Sequence, residues 1–174
     1  MAHYAVTAIG ADRPGIVAAL TGALQDLGGN LEDVSSTILR GHFAMMLVVD
    51  APGDPDEVRA SLERAAADVG VRVHVADVEA GAPERPRATH VLTAYGSDRP
   101  GIVATLAGLF SERGVNITDL SCRRTAGPEP IYAIIAEVAV PESVPAEDLH
   151  GAVLSAARDL GVDARLEPVE VETL

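Results

Sequence analysis

The chain has 174 residues, 48% of them hydrophobic, and a formal net charge of −13, which allows one sizeable core or two small ones. Residues 1–80 hold 5 Arg against 12 acidic side chains and residues 88–174 hold 6 against 13, so neither part offers the clustered positive charge that direct nucleic-acid binding needs. There is no lysine, which excludes Schiff-base chemistry, a lysine nucleophile and a P-loop lysine.

Residues 4–9 form a short run of β-branched and aromatic side chains ended by Gly10 and read as a strand. Pro14 then opens a helix in which Ile16, Val17, Leu20, Leu24 and Leu27 recur at helical spacing until Gly28 and Gly29 stop it. Residues 30–40 and 43–50 read as two strands of a hairpin joined at Gly41 and His42. After the breaker residues 51–55, a second helix carries Val58, Leu62, Ala65, Ala66 and Val69 on one face. Beyond Gly70, residues 71–75 alternate strictly, as in a half-buried strand with its valines inward.

The heptapeptide Asp12-Arg13-Pro14-Gly15-Ile16-Val17-Ala18 returns unchanged 86 residues later as Asp98-Arg99-Pro100-Gly101-Ile102-Val103-Ala104. The displacement grows to 89 at Phe43 and Tyr132 and to 91 at Gly70 and Gly161, with one insertion falling at residues 126–130. Insertions confined to connections mark loops between shared elements, and a repeat this long is a duplicated domain. The second copy accordingly reads as strand 91–95, helix 100–113, strands 115–124 and 131–140, helix 146–160 and strand 162–171. The order βαββαβ, found twice, predicts an α+β protein of two ferredoxin-like domains, each a four-stranded antiparallel sheet with two helices on one face. The domains are expected at residues 1–79 and 89–174, with a Pro- and Gly-containing linker at 80–88. Each copy is near the lower size limit for an independent domain, so packing of the copies together, or dimerisation into a homo-oligomer, is expected to add stability.

The repeated turn is the principal candidate site. Gly15 removes a Cβ where a ligand could approach exposed backbone N–H groups, and the helix dipole there favours a carboxylate. Asp12 could accept from an ammonium, so both ends of a small amino acid could be met. The alternative is that Asp12 caps the helix, Arg13 is solvated and Gly15 eases helix–sheet packing. Asn30 and Asn116 follow the helix-ending glycines, and their amides could reach back toward the same turn, although Asn after Gly is also ordinary loop chemistry. A β-branched residue at Gly15 or Gly101 is expected to block binding with a milder effect on folding.

Catalytic and metal chemistry finds little support. The histidines at 3, 42, 74, 90 and 150 lack metal-ligand spacing. Cys122 is flanked by Arg123 and Arg124 but has no evident base, and strand alternation points Cys122 and Arg123 to opposite faces. No cofactor is expected. A lone cysteine, no basic-then-apolar leader and no apolar run approaching a membrane span lead to the expectation of a soluble cytoplasmic protein without a membrane partner.

Asp-Arg-Pro-Gly-Ile-Val after a first strand, with Gly28-Gly29-Asn30-Leu31 and Gly114-Val115-Asn116-Ile117 before a second, resembles the ACT domain over nearly all of both copies. The resemblance implies a regulatory domain that binds amino acids where two ACT units meet: the first strand-to-helix loop of one unit and second-strand residues of a neighbour. By position, the first role falls on Asp12, Arg13, Pro14, Gly15, Ile16 and on Asp98, Arg99, Pro100, Gly101, Ile102, and the second on Asn30 and Asn116. Among chains of two ACT domains, the likeness is to the glycine cleavage system transcriptional repressor group, which implies action through a partner regulatory protein. ACT domains also occur fused to catalytic domains, as in enzymes similar to formyltetrahydrofolate deformylase, but the two copies here consume almost every residue. The expected function is a non-catalytic amino-acid sensor. The alternative is a module that has lost the ligand and contacts an enzyme or a transcription factor.

Overall fold

In a computed structural model that describes residues 2–79, 86–128 and 130–169, the chain divides into two units, Met1–Pro83 and Glu84–Leu174. Residues 80–85 of the expected linker, Glu129 of the inserted connection and residues 170–171 of the last expected strand lie outside the described residues.

The first unit runs β1 (Ala2–Ala11), α1 (Ile16–Asp26), β2 (Asn30–Leu39), β3 (His42–Ala51), α2 (Pro55–Asp68) and β4 (Val71–Val78). Its four strands are ordered β2-β3-β1-β4, and every neighbouring pair is antiparallel. The second unit repeats this with β5 (His90–Ser97), α3 (Ile102–Ser111), β6 (Asn116–Arg124), β7 (Ile131–Ala139), α4 (Ala146–Leu160) and β8 (Val162–Pro168), ordered β6-β7-β5-β8. Both units are the expected βαββαβ arrangement.

Period-2 alternation builds one wall of the first core: Tyr4, Val6 and Ala8 on β1 and Phe43, Met45, Leu47 and Val49 on β3 point the same way and are buried. Ile16, Leu20 and Leu24 of α1 and Val58, Leu62 and Ala66 of α2 close it at helical spacing. Val17, expected within that stripe, is exposed, because the buried stripe follows i, i+4, i+8 from Ile16. The second core is built alike from Leu92, Ala94, Ile134, Ala136, Val138, Ile102, Leu106, Phe110, Leu149 and Val153.

Chain reversals use the backbone freedom of glycine at two places that matter for the site. Helix α1 ends in a Schellman motif: the N–H of Gly28, at φ 70°, donates to the Gln25 carbonyl and that of Gly29 to the Leu24 carbonyl, both at 2.9 Å. The hairpin turn is Arg40-Gly41, one residue earlier than expected, with φ 50° and 79°. Two positive φ values match a type I′ turn, whose twist suits the flanking strands. Gly10, read as the end of the first strand, lies inside β1 because the backbones of β1 and β4 close in there. A Cβ at Gly10 would stand 2.8 Å from Val71 Cγ1 and 2.9 Å from the Gly70 carbonyl oxygen.

Candidate functional site

The strand-to-helix turn of each unit has nearly the same backbone. Gly15 has φ 97° and ψ −11°, and Gly101 has φ 96° and ψ −10°. These values, after a proline, fit the third position of a type II turn, where a residue with a Cβ is strained. The helices begin at Ile16 and Ile102, so Pro14 and Pro100 precede the helix rather than occupy its first turn as expected. A Cβ on Gly15 or Gly101 would meet nothing within 4 Å. Their left-handed backbone, and not close packing against the sheet, is therefore what calls for glycine.

Neither helix is capped by a side chain, and neither carries an acidic residue in its first turn. The first intrahelical bonds run from Ala19 N–H to the Gly15 carbonyl and from Thr105 N–H to the Gly101 carbonyl, both 2.9 Å, so the preceding amides of each first turn have no intrahelical acceptor. Helix α2 is built the opposite way, with Asp54 Oδ1 accepting from Asp56 N–H at 2.9 Å, Pro55 at the first position, and Asp56 and Glu57 in the first turn. The capping alternative for Asp12 is thus not realised, since the cap position belongs to Gly15.

Asp12, Arg13, Pro14 and Gly15 are exposed, as are Asp98, Arg99, Pro100 and Gly101. Ile16 and Ile102 are only 1% and 2% exposed, which leaves their backbone N–H, not their side chains, to face a ligand. The N–H of Asp12 donates to the Gly41 carbonyl at 2.9 Å, tying the turn to the tip of the β2–β3 hairpin.

Asn30 and Asn116 do not reach back to the turn of their own unit. Asn30 pairs with Asp50, and Asp50 with His3, nine residues along β1 from Asp12 and hence about 30 Å away at the rise of an extended strand. Helix α1 carries the chain back along the sheet, so β2 starts at the far end and only finishes beside the turn. In the second unit Asn116 pairs with Ala139 at the far end of β7 in the same way.

At the near end of the second strand stand Ile38 in the first unit and Arg124 in the second, paired across the ladder with Phe43 and Tyr132 respectively. Arg124 Nε lies 3.1 Å from Asp98 Oδ2. The two line a cleft of about 550 Å³ together with Ser97, Pro130 and Ile131. A hydrogen bond with Cys122, followed by burial and the charges of Cys122 and Asp98, holds the Tyr132 phenol up to about 12. Arg124 was legible in the sequence only as a neighbour of Cys122; the antiparallel path of the chain is what brings it to Asp98. Among the described residues, no group of three or more His, Cys, Asp or Glu is placed to hold a metal ion, and no helix is long and apolar enough to cross a membrane.

Family models described as ACT domain match residues 3–76 and residues 90–147. A UPF0237 protein of Methanopyrus kandleri is 44% identical over 78 residues, covering 43% of this chain and 87% of the relative. A UPF0237 protein of Lactococcus lactis is 41% identical over 71 residues, covering 40% and 82%. Two solved structures share the fold along almost the whole length. An unknown protein from Galdieria sulphuraria has a TM-score of 0.82 at 24% identity, covering 97% of this chain and 99% of its own. A structure described as that of a "putative glycine cleavage system transcriptional repressor" has a TM-score of 0.71 at 16% identity, covering 98% of each. With both halves matched and relatives of this identity covered over most of their length, the chain belongs to the ACT domain family and carries two ACT domains in tandem.

Proposed function

We propose that the protein is a non-catalytic regulatory protein that binds a small amino acid at its strand-to-helix turns. The observation that carries this reading is the contrast between α2 and the first helix of each unit. Helix α2 fills its first turn with a capping aspartate and two acids, whereas α1 and α3, which follow the repeated heptapeptide, leave theirs without either. Uncapped amides at a helix N-terminus favour an anionic group, here the carboxylate of an amino acid. The adjacent Asp12 or Asp98 supplies an acceptor for its ammonium. The neighbour's Asn30 or Asn116 belongs to this reading only through a second ACT unit, since within one unit it lies at the other end of the sheet. A homo-oligomer is one source of such a neighbour.

Coupling of the ligand to function requires different affinities for two states, typically about 1–3 kcal/mol apart. The response is passed to a protein partner, because the net charge of −13 is unsuited to direct contact with nucleic acid. Control of amino-acid metabolism, including glycine cleavage gene expression, is consistent with the fold shared with the repressor structure. A second reading is a ligand-free interaction module. It is favoured by β2, exposed along all ten residues with Leu31, Val34, Ile38 and Leu39 among them, since open apolar edges are where sheets meet partners.

A thermal-shift screen against the twenty amino acids at millimolar concentration separates the two. Ligand at 100 times Kd adds about 2.7 kcal/mol of stability, so a selective rise in Tm identifies the sensor and its ligand. A flat profile from folded protein rejects the sensor in favour of the interaction module.

A further inference from the structure

We propose that the second unit has a dedicated recognition pair for the α-amino-acid zwitterion, in which Arg124 joins the first-turn amides of α3 in binding the carboxylate and Asp98 accepts from the ammonium. This deepens the amino-acid reading above and rests on it. The pair sits in the cleft of about 550 Å³ lined by Ser97, Asp98, Arg124, Pro130 and Ile131, a volume suited to a small ligand. Opposite charges stand side by side at its wall, with Arg124 Nε 3.1 Å from Asp98 Oδ2 and both side chains nearly half exposed, at 48% and 42%. The contact runs through Nε, so the end of the guanidinium carrying Nη1 and Nη2 is the fork a carboxylate takes in two parallel hydrogen bonds. An α-amino acid carries its ammonium and its carboxylate on one carbon, so its two opposite charges are close neighbours, as are those of the pair.

A purely structural role explains the pair poorly. Exposed ion pairs contribute little to folding, and the first unit keeps the same fold with Ile38 where the second has Arg124. The change is not isolated, because Tyr132, with its phenol, also replaces Phe43 at the ladder position paired with it. Polar groups have thus been gathered at one end of β6 and β7, next to the turn. Asp12 in the first unit has no such cation on its second strand, so the two units differ in what they can hold.

The test is a titration of the full chain with each of the twenty amino acids, followed by NMR at the amides of Gly101 and Ile102 in one unit and Gly15 and Ile16 in the other. It is repeated on Arg124→Ile, which installs the residue of the first unit, and on Arg124→Gln, which keeps a polar side chain should the first variant fold poorly. The expected result is a saturable shift at Gly101 and Ile102, weakened tenfold or more in the variants. Primary amines lacking the carboxylate should bind weakly and equally to all three proteins, a difference that a merely structural arginine would not produce. Unchanged amino-acid affinity in both variants, or saturable shifts at Gly15 and Ile16 alone, would overturn this assignment and leave the sensor reading standing. No response to any amino acid at either turn would remove both.

Discussion

Gly70 faces the guanidinium of Arg13: a Cβ built on Gly70 would stand 2.9 Å from Arg13 Nη2. Gly161 repeats the relationship with Arg99 Nη1 at 3.3 Å. The arginine that begins each turn is thus laid over the loop between the second helix and the last strand of its own unit, which enters the sheet beside the end of the first strand. Both glycines also have φ 67°, so a side chain would be strained independently of the arginine.

Alanine at Gly70 is expected to cost about 1–2 kcal/mol, set by the left-handed backbone, because the end of Arg13 can swing aside. Alanine at Gly10 is expected to cost more, about 2–3 kcal/mol, since a Cβ there meets Val71 Cγ1 at 2.8 Å and the Gly70 carbonyl oxygen at 2.9 Å, in a part of the sheet that cannot yield. Urea denaturation of the two variants checks the order; a larger loss in Gly70→Ala would contradict it.

A β-branched residue at Gly15 or Gly101, expected to block binding with a milder effect on folding, also meets a backbone that disfavours any side chain. At φ 97° and 96° alanine should lower stability by about 1–2 kcal/mol and valine by more, even though the space around the Cβ is open. Binding is better probed with Asp12→Asn and Asp98→Asn, whose side chains leave the backbone alone. Circular-dichroism melts of the glycine variants beside the asparagine variants should show the first pair destabilised and the second within about 0.5 kcal/mol of the parent.

Arg40 is the one non-glycine residue with positive φ among the described residues. Asparagine is favoured over arginine at the first central position of a type I′ turn, so Arg40→Asn is expected to raise stability by roughly 0.5–1 kcal/mol. Chemical denaturation gives the answer directly, and an unchanged or lowered midpoint would count against the turn assignment.

Alkaline pH should reveal the tyrosines. A hydrogen bond with Cys122 and burial hold Tyr132 up to about 12. Burial, with the negative charges of Asp77 and Asp54, raises Tyr4 above the ordinary 10.0. Unfolded tyrosines lose the proton first, so above pH 10 the native state binds more protons than the unfolded one and stability falls as pH rises. The contribution of Tyr132 is therefore complete below about pH 10 and lost by about pH 12. With no tryptophan in the chain, phenolate absorbance reports on tyrosine cleanly. Tyr132→Phe should remove part of the alkaline fall in Tm; an identical fall in the variant would refute the assignment.

Periodicity and the 86-residue repeat were sufficient for the two units, their twelve elements and most of the helical stripes of the first core, because side-chain alternation and helical stripes are local consequences of burial. Where local patterns misled, a contact distant in sequence was responsible. Gly10 looked like a strand end because glycine punctuates chains, yet it continues β1 where Val71 presses against it. Asn30 looked like a partner of Asp12 because both flank the same helix.

The sequence by itself determined that an identical turn occurs twice and that each unit runs βαββαβ, since repetition and periodicity need no third dimension. Only the tertiary structure decided which side chains share that turn. Each first helix returns the chain to the opposite end of the sheet, so the asparagines that begin the second strands lie far from their own turn. Antiparallel pairing brings the ends of those strands, Ile38 and Arg124, beside it instead. On this shared chain path a single difference in sequence makes the two copies unlike: one aspartate meets an arginine at 3.1 Å, while the matching position in the other unit is an isoleucine.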